Sequence, residues 1–257
     1  MSSADHVLVD VQDQIGFVTL NRPHARNALT FDMYERVAEV CVTPPNDAKI
    51  MVFRGAGDKA FAAGTDISLF RNFTTPEHAI EYEATMDRVV GHIEQCSIPT
   101  IAAIDGACTG GGAVIASACD LRIATRSMRF GFPIARTLGN CLSAANIARL
   151  TALLGAGRVR EIIFTCRLIE AAEAKQIGLV SEVLETSELL MERVSQLARS
   201  LMQHAPLTMQ ATKQIQIRLA AQQVEDRDWI VKCYTSEDFH EGLDAFLNKR
   251  MPDWKGC

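Results

Sequence analysis

Residues 101–120, "IAAIDGACTGGGAVIASACD", leave the chain few ways to fold. The stretch opens as a short apolar run of the kind that makes a buried strand, closes on the helix-like "GAVIASAC", and joins the two through Gly110, Gly111 and Gly112. Asp105 and four later glycines interrupt it, so it does not read as a membrane span. A strand that ends in glycines and opens a helix is receptive to anions, because the first helical turn leaves N–H groups unpaired at the positive end of the dipole. No G-x-G-x-x-G follows, nor a Lys-Ser or Lys-Thr pair, so the pattern does not support nucleotide binding. On spacing alone, a structural turn and an oxyanion or carbonyl site both remain open.

The rest of the chain supplies the elements around this turn. "HVLVDVQ" and "IGFVTLN" are rich in β-branched residues and predict an antiparallel hairpin. "ALTFDMYERVAEVC" predicts a helix capped by Thr30, "KIMVFRG" a strand, and "GAGDKAFAAGTD" a loop. A long helix follows with Pro76 near its start, and "DLRIATRSMRF" predicts two further strands. From Cys141 onward the pattern is helical, including one run of residues 206–236, with "LVSEVL" as a late strand. The expected organisation is an α/β core over residues 1–200 and a helical region over residues 201–257.

Composition excludes several classes of function. The net charge is -5, and the 26 Lys and Arg are scattered, which argues against nucleic acid or an anionic membrane as partner. The eight cysteines form no CxxC pair and show no zinc spacing, so a reduced intracellular protein without a metal site is expected. "MSSADHVLVD" lacks the basic and apolar regions of a signal peptide, and the expected location is cytoplasmic.

A second glycine loop, "FAAGTD" at residues 61–66, also follows a strand. Two strand-end loops that each offer an N–H to one oxygen form an oxyanion hole, the device of acyl and thioester chemistry. "LNRPHARNAL", "KAFAAGTDI", "IAAIDGACTGGGAVIASACDLRIAT", "FGFP", "EAAEAKQIGLVSEV" and "EDFHEGLDAFLNKRMPDW" together resemble the crotonase superfamily, the enoyl-CoA hydratase and isomerase family. That resemblance implies an α/β spiral of ββα units and a C-terminal helical trimerisation region. It also implies a homotrimer or dimer of trimers and an acyl-CoA substrate, with coenzyme A entering as part of the thioester and no permanently bound cofactor. By motif position it implies Ala63 and Gly111 as oxyanion donors, with Ala62, Gly64, Thr65, Asp66 and Gly110 along the substrate. His24, Arg26 and Lys249 fall where the family contacts the nucleotide part, Lys249 from a neighbouring subunit; Arg26 and Lys249 read equally as solvated surface charges.

The family's hydratases carry two glutamates where this chain has Val114 and Ile134. Hydrocarbon side chains cannot deprotonate water or protonate a carbon, so ordinary hydration is not expected. Other polar candidates nearby are Arg136, for a substrate carboxylate, and Cys141, which would act as a nucleophile if it stood at a helix N-terminus. Asp66 is read as a loop cap rather than a proton carrier, and His92, His204 and His240 as packing or surface residues. Three readings follow: an enzyme that stabilises a thioester enolate, a catalytically silent acyl-CoA-binding or scaffold protein, and a Cys141-dependent thioester hydrolase or dehalogenase-like enzyme. The acyl pocket is expected from residues 67–72, the helix beginning at Pro76, and the tail.

Overall fold

β-Branched residues on both sides of a tight turn start the chain. In the computed structural model, which describes residues 6–222 and 226–257, β1 (Val7–Gln12) pairs antiparallel with β2 (Ile15–Leu20), Val7 opposite Leu20. The link residues Asp13 and Gln14 have φ of 51° and 63°, the positive pair of a two-residue hairpin turn whose twist matches the strands. α1 (Phe31–Val42) follows, capped by Thr30, whose hydroxyl accepts the Met33 N–H at 3.3 Å.

A unit of strand, second strand and helix then repeats. β3 (Ile50–Gly55), β4 (Ala60–Ala62) and α2 (Pro76–Glu94) form the first; β5 (Thr100–Ile104), β6 (Ala107–Thr109) and α3 (Gly111–Ala118) form the second. β7 (Leu121–Thr125), β8 (Arg129–Gly131) and the short α4 (Ile134–Thr137) form the third. They are followed by α5 (Ala144–Leu154), α6 (Ala156–Thr165), β9 (Ile169–Glu170), α7 (Ala171–Gln176), β10 (Glu182–Leu184) and α8 (Ser187–Leu201). The first strands of the units run parallel in a six-stranded sheet, β1-β2-β3-β5-β7-β10; the second strands lie in a four-stranded sheet, β4-β6-β8-β9. Each unit thus advances one strand in both sheets at once, and the chain spirals.

Alternation along the strands divides the core. Val18, Met51, Phe53, Ala102 and Ile104 face the cluster that holds α1, α2 and α3. Phe17, Val52, Ile101 and Ala103 face the other way, onto Leu190, Val194 and Ala198 of α8. α3 is buried all round from Gly112 to Ala118, which is why its sequence carries no polar face.

Three local expectations change. "GAGDKAFAAGTD" is not all loop: β4 occupies Ala60–Ala62 and pairs with β6, so both glycine loops leave neighbouring strands of one sheet. Cys141 lies outside α5, which begins only after its N-cap Ser143. The helical run of residues 206–236 is two helices, α9 (Pro206–Ala220) and α10 (Arg227–Tyr234), with residues 223–225 outside the described ones. α11 (Glu237–Leu247) follows. Among the described residues no helix is long and apolar enough to cross a membrane.

Candidate active site

The triple glycine is explained by what it touches. Gly110 has φ 51° and ψ -122°, and a Cβ there would come within 3.4 Å of the Cα of Gly64, itself at φ 108°. A Cβ on Gly112 would fall 2.4 Å from the Ala62 carbonyl oxygen, and one on Gly111 would fall 1.9 Å from the Tyr34 hydroxyl. A side chain at Gly112 would therefore push the two loop backbones apart, while Gly64 and Gly110 are needed for their positive φ.

The amides of these loops depart from one expectation. The Ala63 N–H donates to the Arg26 carbonyl at 3.0 Å, so it is engaged in the fold and does not stand free as an oxyanion donor. The Thr65 N–H makes no hydrogen bond among the described residues, while its neighbour Asp66 donates to the Leu29 carbonyl at 2.9 Å. Gly111 is the first residue of α3 and therefore has no intrahelical acceptor for its N–H. Thr65 and Gly111 line the same cavity, of about 220 Å³.

The Arg26 carbonyl is held in place by its neighbour. Asn27 is wholly buried; its Oδ1 accepts the Arg22 N–H at 3.0 Å, and its Nδ2 donates to the carbonyls of Ala56 at 3.0 Å and Ala60 at 2.7 Å. One amide side chain thus ties the "RPHARN" turn to the start of β4, the strand that leads into the second glycine loop.

Val114 and Ile134 both line the cavity, and both are buried. Ile67 and Phe70 of the 3-10 turn Ile67–Asn72 and Met86 and Val90 of α2 add apolar wall, as expected for those segments. The expected contribution of the tail is not seen: among the described residues, none after Asn146 lines this cavity. Against this hydrocarbon stands a chain of hydroxyls, Tyr34 to Thr65 at 2.8 Å and Thr65 to Tyr82 at 2.9 Å. Burial pushes the Tyr34 phenol well above its ordinary value and Tyr82 above it, so both stay neutral hydrogen-bond donors. Three hydroxyls joined by two hydrogen bonds leave one hydroxyl proton of the chain uncommitted.

Glu83 of α2 is the one carboxylate among the described lining residues. Its Oε2 accepts the Ser143 N–H at 3.2 Å. Burial raises its pKa, the Ser143 amide opposes that, and the charge of Asp87 one turn along adds to the rise. Asp87 itself accepts the Ser143 hydroxyl and the Asn146 amide.

The remaining candidates are dispersed. Asp66 caps the 3-10 turn, accepting the Ser68 N–H at 3.1 Å and hydroxyl at 2.7 Å and pairing with Arg22 at 3.0 Å. These partners, Ser68 foremost, hold its carboxyl below the usual range, and it does not line the cavity. Arg26 is exposed and, with Lys59, lines a separate groove of about 230 Å³; His24 is exposed on the adjacent 3-10 turn Pro23–Ala25. Arg136 and Cys141 are exposed and line neither space, and Lys249 is exposed just beyond α11. Cys141 stands two residues before the α5 cap, away from the helix N-terminus that would have activated it.

Sequence reasoning missed Tyr34, Tyr82, Glu83 and the Thr65 amide. A signal was available for Glu83, which falls in register with Met86 and Val90 at i+3 and i+7 on the inward stripe of α2. Tyr34 likewise shares the buried face of α1 with Val37 and Cys41.

Known proteins share this framework. Residues 10–257 match the family described as Enoyl-CoA hydratase/isomerase. The chain is 33% identical over 253 residues to the short-chain-enoyl-CoA hydratase of Clostridium acetobutylicum, covering 96% of each. It is 32% identical over 258 residues to the crotonyl-CoA hydratase of Syntrophomonas wolfei, covering 97% of this chain and 98% of that one. A solved structure described as an enoyl-CoA hydratase/carnithine racemase from Magnetospirillum magneticum superposes with a TM-score of 0.90 at 31% identity, over 98% of this chain and 96% of that one. With matches of this extent in both sequence and fold, the chain belongs to the enoyl-CoA hydratase/isomerase family.

Proposed function

We propose that this protein binds an acyl-CoA and stabilises the enolate of its thioester through the backbone N–H groups of Thr65 and Gly111. The observation that carries the reading is that the Thr65 and Gly111 amides are both unengaged among the described residues and both belong to residues lining one cavity, as a shared oxyanion would require. Gly64, Thr65 and Gly110 line the same cavity, which supports the substrate-side role expected of them from the motifs; Ala62 is wholly buried beneath Gly112 and Asp66 caps the loop, so neither of these lies along the substrate. The groove beside Arg26 and Lys59 offers cations for the nucleotide phosphates, with His24 nearby. At about 220 Å³ the cavity is smaller than the roughly 300 Å³ at which ligand sites usually begin, which favours a short acyl group. The protein works as a cytoplasmic homotrimer or dimer of trimers, with Lys249 reaching a neighbour's nucleotide site; the exposed apolar stripe of α11 supports assembly.

Val114 and Ile134 offer no proton, so addition of water is not the favoured reaction. Loss of the enoyl thioester absorbance of crotonyl-CoA tests this, and slow or no hydration is expected. A rate typical of efficient hydratases would overturn it. Gly111→Pro deletes one donor and is expected to slow turnover at least about 100- to 1,000-fold, as removal of such a donor raises the barrier by about 2.7–4 kcal/mol. An unchanged rate in that variant would end the oxyanion assignment.

A further inference from the structure

The oxyanion device polarises a thioester but moves no proton, and the two positions nearest the glycine helix are hydrocarbon. We infer that Glu83, reaching the cavity from α2, is the catalytic residue that takes and returns the proton at the carbon beside the thioester carbonyl. This rests on the acyl-CoA reading above and names the group that reading lacks.

Several observations converge on Glu83. It is the one carboxylate lining the cavity among the described residues, and Thr65 and Gly111 line that same space. Its Oε2 is fixed by the Ser143 N–H, while its Oε1 has no hydrogen-bond partner among the described residues. One oxygen is therefore anchored and the other available, as a proton carrier requires. The anchor is itself held: Ser143 caps α5, accepting the Asn146 N–H at 3.2 Å while its hydroxyl donates to Asp87. Asp87, engaged by both Ser143 and Asn146, does not line the cavity and serves to position the cap. Burial and the Asp87 charge raise the affinity of Glu83 for a proton, bringing it closer to the working pH.

The chemistry balances without a co-reactant. As the C–H bond breaks, its proton forms an O–H bond with Glu83 and its electron pair becomes the enolate C=C, while the carbonyl pair moves to the oxygen held by Thr65 and Gly111. Return of the proton to the same carbon regenerates the thioester. On a chain with a β,γ double bond, return two carbons further along makes the C2–C3 double bond and breaks the C3–C4 one, an isomerisation that needs a single carboxylate.

The test uses butyryl-CoA, which can exchange but not react further, in D2O, with deuterium uptake read by mass spectrometry and binding by calorimetry. The full-length protein is expected to exchange the α-hydrogens, and Glu83→Gln to exchange at least about 100-fold more slowly with an unchanged Kd. Glu83→Ala is expected to regain exchange on addition of formate, which a structural role would not produce. Exchange retained in Glu83→Gln, no formate rescue of folded Glu83→Ala, or wild-type binding without exchange would each overturn the Glu83 assignment and leave acyl-CoA binding standing. Failure of the wild-type protein to bind butyryl-CoA or any other acyl-CoA of a short-to-medium series would overturn the acyl-CoA reading itself.

Discussion

Gly111 lacks a side chain for two reasons that act on different properties. Its N–H, without an acceptor in α3, is the donor of the proposed site, while the space beside its Cα is filled by the Tyr34 hydroxyl, 1.9 Å from where a Cβ would stand. Tyr34 is 1% exposed and its ring is rigid, so Gly111→Ala forces α3 to shift and is expected to cost about 1–3 kcal/mol. Adding Tyr34→Phe removes the clashing atom and leaves the ring carbon at 3.1 Å, a contact that small movements relieve. The double variant is expected to be more stable than Gly111→Ala alone, even though Tyr34→Phe by itself loses a hydrogen bond of about 1 kcal/mol to Thr65. Thermal unfolding of the three variants checks this, and a double variant no more stable than Gly111→Ala would show that the strain lies elsewhere. At this scale the glycines were legible because three in a row are rarely accidental. The choice between Ala63 and Thr65 was not, because it turns on the Arg26 carbonyl, which only the folded arrangement of two distant loops brings to the Ala63 amide.

Helices with a clear 3.6-residue stripe and a start signal could be read directly: α1 with its Thr30 cap and α2 with Pro76 at its first turn. β4, β6 and β9, two or three residues each, could not, because strands so short are defined by partners far along the chain. Placing a carboxylate on the inward stripe of α2 has a cost that can be measured. The folded-state pKa of Glu83 is raised above its usual 4.5, so the stability associated with it is complete below that pH and is lost as the pH rises through the folded value. Glutamine keeps the shape without the charge. Glu83→Gln is therefore expected to have a higher Tm than the wild type at pH 7, the difference shrinking toward zero as the pH falls to 4.5. A lower Tm at pH 7 would mean that the Ser143 hydrogen bond to the ionised group outweighs its burial. A stabilised variant that no longer exchanges protons would mark Glu83 as kept for chemistry at the expense of stability.

For the molecule as a whole, the ββα spiral became legible only through the ordered set of motifs, since periodicity alone does not say that successive strands enter different sheets. The tail shows the same limit. An apolar stripe on a helix packs equally well against its own core or against another chain, and the sequence does not choose. In the folded chain Phe239, Leu243, Phe246 and Leu247 of α11 fall at i, i+4, i+7 and i+8, and all four are exposed, Phe246 by 82% and Leu247 by 70%. α11 thus presents its apolar face outward, a surface that a second copy would cover in a trimer. Phe246→Asp puts a charge at the centre of that face, where burial without a partner is strongly unfavourable, and it does not line the cavity of the proposed site. Light scattering after size exclusion is expected to give a wild-type mass of three or six chains, and a Phe246→Asp mass that falls toward one chain as the protein is diluted. A wild-type protein that runs as a single chain would remove the assembly reading, and with it any role for Lys249 at a neighbour's nucleotide site. A Phe246→Asp protein that stays fully assembled would mean that the contact between copies lies on another face of the helical region.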